Sequence, residues 1–142
     1  MNTPETKPIG LVKRFVVMLY DSILLIALLF FASVIVAVPF GIEYDGHITP
    51  AYVLYVIYIY LVAYLYLGWC WTHGGQTLGS KTWRIKLISY NGSHVTWTQS
   101  LLRYLGSLLC WITLGVGFLW CYTNKERLAW NDLLSNTRLT RI

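Results

Sequence analysis

Charge is what this sequence has least of. Six acidic and eleven basic residues are spread over 142 positions, so 12% of the chain is charged and 56% is hydrophobic. A soluble domain averages about a quarter charged residues. From Ala51 to Trp71 there is no charged residue at all, which excludes a solvated helix face there. Cysteine is also scarce. Cys70, Cys110 and Cys121 are odd in number and form neither a CxxC pair nor a Cys/His cluster. That excludes a disulfide framework and a zinc site, and the three read as small apolar side chains. The chain lacks a phosphate loop, an HExxH helix and a Ser/His/Asp set. No enzyme, cofactor or metal is therefore expected. Without a basic cluster interleaved with aromatics, nucleic acid is not an expected partner either.

What the sequence does have is long apolar runs. Phe15 to Phe40 is interrupted only by Asp21, Ser22 and Ser33, and Ala51 to Trp71 follows after a short loop. About 20 apolar residues cross a hydrocarbon core of roughly 30 Å. Backbone polar groups must pair internally in lipid, so both runs are helices. Their expected bounds are 10–39 and 51–71, after a loose polar tail over 1–9. The first run exceeds a signal-peptide core and no small-x-small site follows it, so it reads as a retained anchor. Lys7, Lys13 and Arg14 precede it, loop 41–50 holds Glu43 and Asp45 without a Lys or Arg, and loop 72–100 holds Lys81, Arg84 and Lys86. Positive residues stay inside, so the N-terminus and the second loop are expected on the cytoplasmic side. Lys81, Arg84 and Lys86 are candidates to face anionic lipid or a protein partner.

Beyond the second helix, Gly74-Gly75 punctuates the chain. Trp83, Ile85 and Leu87 then alternate with Arg84 and Lys86, and Val95 and Trp97 alternate with Thr96 and Thr98 around Asn91-Gly92. This predicts a small cytoplasmic β-hairpin over 83–98. The third apolar segment, 101–122, contains Arg103 and the sequence Thr113-Leu114-Gly115-Val116-Gly117, poor material for a continuous helix. As a single span it would place Lys125, Arg127, Arg138 and Arg141 outside, against the charge rule. The favoured reading is a re-entrant segment of two short helices broken at Gly115–Gly117, leaving residues 123–142 cytoplasmic. The closing TRLTRI also has strand character. The expected class is an all-α membrane protein with two transmembrane helices, a third broken or re-entrant apolar segment and a small hairpin.

The charges inside the apolar runs are the candidate site. Arg14 and Asp21 are seven positions apart and share a helix face, with Asp21 about 10 Å deeper at roughly 1.5 Å per residue. A carboxylate within the hydrocarbon costs about 2.5–3.5 kcal/mol. Intramembrane acids typically face a bundle interior or a wet cavity and mark ion or proton paths. Arg14, and alternatively Arg103, are the expected charge partners of Asp21. A structural ion pair that orients the helices is the competing reading. Asp132, close to Arg127 in RLAWNDLLSNT, can meet Arg14 if the third segment is re-entrant.

Together these residues resemble the RDD family of small bacterial membrane proteins, named for an Arg and an Asp in the first helix and an Asp near the C-terminus. KRFVVMLYDSILL supplies Arg14 and Asp21, GGQTLGSKTWRIKLI and SLLRYLG resemble the segments after the second helix, and RLAWNDLLSNTRL supplies Asp132. Where many members carry His before the last Asp, this chain has Asn131, which hydrogen-bonds but does not titrate at neutral pH. The resemblance implies a multi-pass protein of the bacterial cytoplasmic (inner) membrane. It also implies transport, with Arg14, Asp21 and Asp132 as ion- or proton-coupling residues; beside the resemblance, the residues themselves make Arg103 and Arg127 the expected supporting charges. The expected function is transport of protons or monovalent cations, by a homo-oligomer because so few spans enclose little pathway. The alternative is a non-transporting adaptor that binds a protein or anionic lipid through its cytoplasmic face.

Overall fold

The structure is a computed structural model and describes residues 9–43 and 45–142. The tail expected over 1–9, with Lys7, lies outside the described residues except for Ile9, which is buried. Helix α1 runs from Leu11 to Phe40 and α2 from Pro50 to Thr72. At about 1.5 Å per residue they are roughly 45 and 35 Å long, enough to cross a bilayer. Of α1 only Arg14, Val17 and Ala32 are buried, so most of its apolar surface faces outward, as a lipid surrounding favours. Gly41, at φ 58°, ends α1 in the left-handed conformation that glycine adopts without strain. Thr49 caps the Tyr52 amide and Pro50 opens α2, where a missing N–H costs nothing. Tyr55 and Tyr58 then tie α2 to Ser33 and the Ala32 carbonyl of α1.

After α2 the chain first builds a small cap at one end of the helix pair. A one-turn helix α3 (Leu78–Thr82) leads into strand β1 (Ile85–Ser89). Helix α4 (Trp97–Ile112) opens with a capping box in which the Gln99 amide donates to Thr96 Oγ1 and the Thr96 amide donates to Gln99 Oε1. Its buried positions, Ser100, Arg103, Gly106 and Cys110, lie on one face. Leu101, Leu102, Leu105, Leu109 and Ile112 are exposed. Thr113 closes α4, Leu114 and Gly115 take φ 55° and 84°, and α5 (Val116–Leu119) leaves at 109° to it. A 3-10 turn (Trp120–Tyr122) follows. Helix α6 (Trp130–Ser135) packs back on α4, and β2 (Thr137–Arg141) ends the chain. The approach of α6 to α4 needs Gly106, where a Cβ would lie 2.9 Å from Asn131 Cα.

The small antiparallel sheet is present, but its second strand differs from the expected one. β1 pairs with β2, with Ile85 opposite Arg141 and Ser89 opposite Thr137. Residues 97 and 98 instead open α4. The expected turn centred on Asn91-Gly92 with positive φ at both residues does not form: the Gly92 amide donates to the Ser89 carbonyl, which centres the turn on Tyr90 and Asn91, and only Gly92 of the pair has positive φ. It reverses the chain toward the Thr96 cap rather than into a paired strand. The strand pairing fixes topology. β1 and β2 are hydrogen-bonded neighbours, so both ends of the bent segment 97–122 lie at the same end of the molecule.

Candidate functional site

The three charges of the sequence pattern separate into two clusters. Asp132 is 1% exposed and is the hub of the first. Arg14 Nη1 donates to its Oδ2 at 2.6 Å, and Arg103 Nη1 donates to its Oδ1 at 2.5 Å. The Ala129 amide adds a third donor to Oδ2 at 3.1 Å, which also caps the start of α6. Arg14 and Arg103 are each 5% exposed. Their other contacts fix them further: Arg14 donates to the Arg127 carbonyl, and Arg103 donates to Thr137 Oγ1 and stacks 5.5 Å from the Trp71 ring. Burial alone would push the Asp132 carboxyl up, but Arg103 and Arg14 outweigh it and hold the group below the usual carboxylate value. Two guanidiniums share one carboxylate, so the cluster keeps one formal positive charge.

This corrects the expected partnership of Asp21. Neither Arg14 nor Arg103 pairs with it, because each guanidinium is oriented toward α6 by Asp132. Asp21 instead takes Thr77 Oγ1 at 2.5 Å on Oδ2 and the Gly79 amide at 2.9 Å on Oδ1. It thereby caps the first turn of α3 and fastens the segment after α2 to α1. Glycine is required at 79, where a Cβ would lie 2.7 Å from Asp21 Oδ1 and 2.9 Å from the Val17 carbonyl. Arg127 contributes its carbonyl to Arg14, while its own side chain is exposed. Lys81 and Arg84 are exposed and Lys86 is half-buried at the same end.

Sequence reasoning missed Thr77 and Gly79 as the partners of Asp21. The available signal was a residue type favoured as a helix cap followed by Leu-Gly-Ser, 56 positions from the acid it would meet. Asn131 also gains a role, since its Nδ2 donates to Ser107 Oγ at 3.0 Å. Its Oδ1, with Arg14 Nε and Arg103 Nε, is buried without a hydrogen-bond partner among the described residues. All three side chains line a cavity of about 170 Å³ that Asp21, Thr77 and Ser80 complete. The two clusters therefore adjoin one cavity at the end of α1, where these polar groups sit among mostly apolar side chains such as Val17, Leu67 and Phe118.

Two apolar helices of spanning length and a bent apolar pair, closed at one end by a buried Arg–Asp–Arg cluster, define an integral membrane protein. The chain belongs to the RDD family, whose pattern its residues 8–136 match. No curated protein and no solved structure matches it.

Proposed function

We propose that this protein is a small proton transporter of the bacterial cytoplasmic membrane, with Asp21 as the exchanging carboxylate. The observation that carries the reading is the cavity of about 170 Å³ that Asp21 lines together with Arg14, Arg103 and Asn131. A space of that size has room for a few water molecules beside the carboxylate. Asp21 is a carboxylate on a spanning helix with access to that space and no direct arginine partner among the described residues. Between a proton and a monovalent metal cation, the proton fits better. A carboxylate has about four lone-pair sites, and Thr77 and Gly79 already occupy two of those on Asp21. Arg14 and Asp132 act as the fixed frame around this group. The outward apolar face of α1 leaves room for a second copy to complete the pathway.

Orientation follows from charge. Lys13, Lys81, Arg84, Lys125, Arg127 and Arg141 gather at the end that carries the sheet, while Glu43 and Asp45 lie in the opposite loop, which favours a cytoplasmic N-terminus. A cysteine replacing the exposed Lys125, in a chain otherwise free of cysteine, should resist an impermeant maleimide in intact cells and react after lysis. Labelling of intact cells would reverse the orientation.

Reconstitution in liposomes tests the transport reading. Wild type should dissipate an imposed pH gradient, Asp21→Asn should lose at least about tenfold of that rate, typical for a displaced proton-transfer group, and Asp21→Glu should retain part of it. Undiminished flux through a folded, inserted Asp21→Asn protein would overturn the role of the carboxylate. A wild type that moves no proton would favour the second reading, an adaptor. That reading rests on Asp132, which pairs with both arginines as a structural staple would, and leaves Lys81, Arg84 and Lys86 to meet a partner.

A further inference from the structure

A second cavity, of about 590 Å³, opens beside the first turn of α1, between it, β1, the end of β2 and the chain around Tyr122 and Arg127. That volume is within the range of roughly 300–1,000 Å³ common to small-molecule sites. Its charged lining residues are Lys13, Arg127 and Arg141, and no carboxylate lines it. Among the described residues none of the three cations is in an ion pair. The start of α1 adds to the same potential. Gly10 supplies no side-chain cap and the first turn holds no acidic residue, so the positive end of a 30-residue helix is left unneutralised. The Arg127 guanidinium lies against it, since a Cβ on Gly10 would be 4.0 Å from Arg127 Nη1.

The rest of the lining is apolar or amphipathic. Trp83 and Tyr122 flank the cations, and Val12, 73% exposed, joins the groove to the outward face of α1. A soluble anion has no use for that continuity. A lipid does, because its phosphate can sit among the cations while its chains follow α1, with indole and phenol rings at the headgroup level where they are stable. We propose that this groove binds the phosphate of an anionic phospholipid headgroup, with Lys13, Arg127 and Arg141 supplying the charge and Trp83 and Tyr122 the aromatic rim. The site is separate from Asp21 and does not depend on whether the protein transports.

Native mass spectrometry of the detergent-purified protein tests it by titration with phosphatidylglycerol and phosphatidylcholine. At about 1 kcal/mol per basic residue near a headgroup, phosphatidylglycerol should be retained at a concentration at least about tenfold lower than phosphatidylcholine. K13Q/R127Q/R141Q should cut that preference to less than about twofold, and Lys125→Gln, outside the groove, should keep it. If the triple variant does not fold, Arg141→Gln alone, at the exposed end of β2, should lower the preference by about fivefold. Equal retention of the two lipids by wild type, or an undiminished preference in the folded variants, would overturn the proposal. So would displacement of the lipid by inorganic phosphate at equal concentration, which would assign the site to a soluble phosphate.

Discussion

Asp132→Asn is expected to destabilise the protein by about 3–5 kcal/mol, the cost of breaking a buried ion pair from one side. Asparagine keeps one oxygen, enough for a single guanidinium, so either Arg14 or Arg103 is left charged and unpaired in a site where both are 5% exposed. The cap on the Ala129 amide weakens with it. Because Asp132 joins α1, α4 and α6, the loss should spread to the packing of the whole closed end. Heating in detergent, followed by size-exclusion chromatography, should show a fall of the midpoint by about 10 °C or more. A variant with Arg14→Met, Arg103→Met and Asp132→Leu should recover most of that loss, since matched apolar groups replace buried ion pairs at little cost. If Asp132→Asn alone melts like wild type, the cluster is not what holds α6. The same carboxyl sets an acid limit. Its value in the folded protein lies below the unfolded value of about 3.9. Its contribution is therefore complete above that pH and is lost as the pH falls through the lower folded value. Asp132→Asn should flatten the acid side of the stability profile in that window.

Gly79→Ala is the second large effect. The added methyl would meet Asp21 Oδ1 at 2.7 Å and the Val17 carbonyl at 2.9 Å, and neither atom can retreat along a flexible side chain without releasing α1 from α3. The amide of the same residue donates to Asp21, so overpacking and the loss of a charge-assisted hydrogen bond coincide. Together these should cost about 2–4 kcal/mol. A detergent melting midpoint lowered by about 5–10 °C would report it, and a midpoint within a degree or so of wild type would show that α3 is not clamped to α1 as described.

Much of the architecture was legible in the residues. Two charge-poor runs of more than 20 residues have one solution in lipid, the spanning helix. The third segment could be read as broken because Thr113, Gly115 and Gly117 are poor helix formers, around the point where Leu114 and Gly115 take positive φ. Its return to the same side was legible from Lys125, Arg127, Arg138 and Arg141, which disfavour crossing. The strand over 85–89 showed in its alternation, and its burial alternates in the same way. Its partner was legible only in part: the closing TRLTRI has strand character, but Asn91-Gly92 is a local signal that pointed to 95–98, and the strand that pairs lies about 50 positions away, at 137–141. Nothing within 83–98 reports on that separation.

The site divides along the same line. Asp21 and Arg103 stood out in the sequence by being charged within apolar runs, and Arg14 and Asp132 through the motifs that resemble the family. Which acid would hold which arginine is a property of distance in space. Arg14 and Asp132 are 118 positions apart and Arg103 and Asp132 are 29 apart. The chain fragment between them must turn at Gly115 and close the β1–β2 ladder before any of these groups meet. Composition thus determined that the protein spans a membrane and which charged residues matter there. Only the tertiary structure decided that Asp132 takes both arginines and leaves Asp21 to Thr77 and Gly79, because the guanidiniums follow the carboxylate that the return of α6 brings within reach.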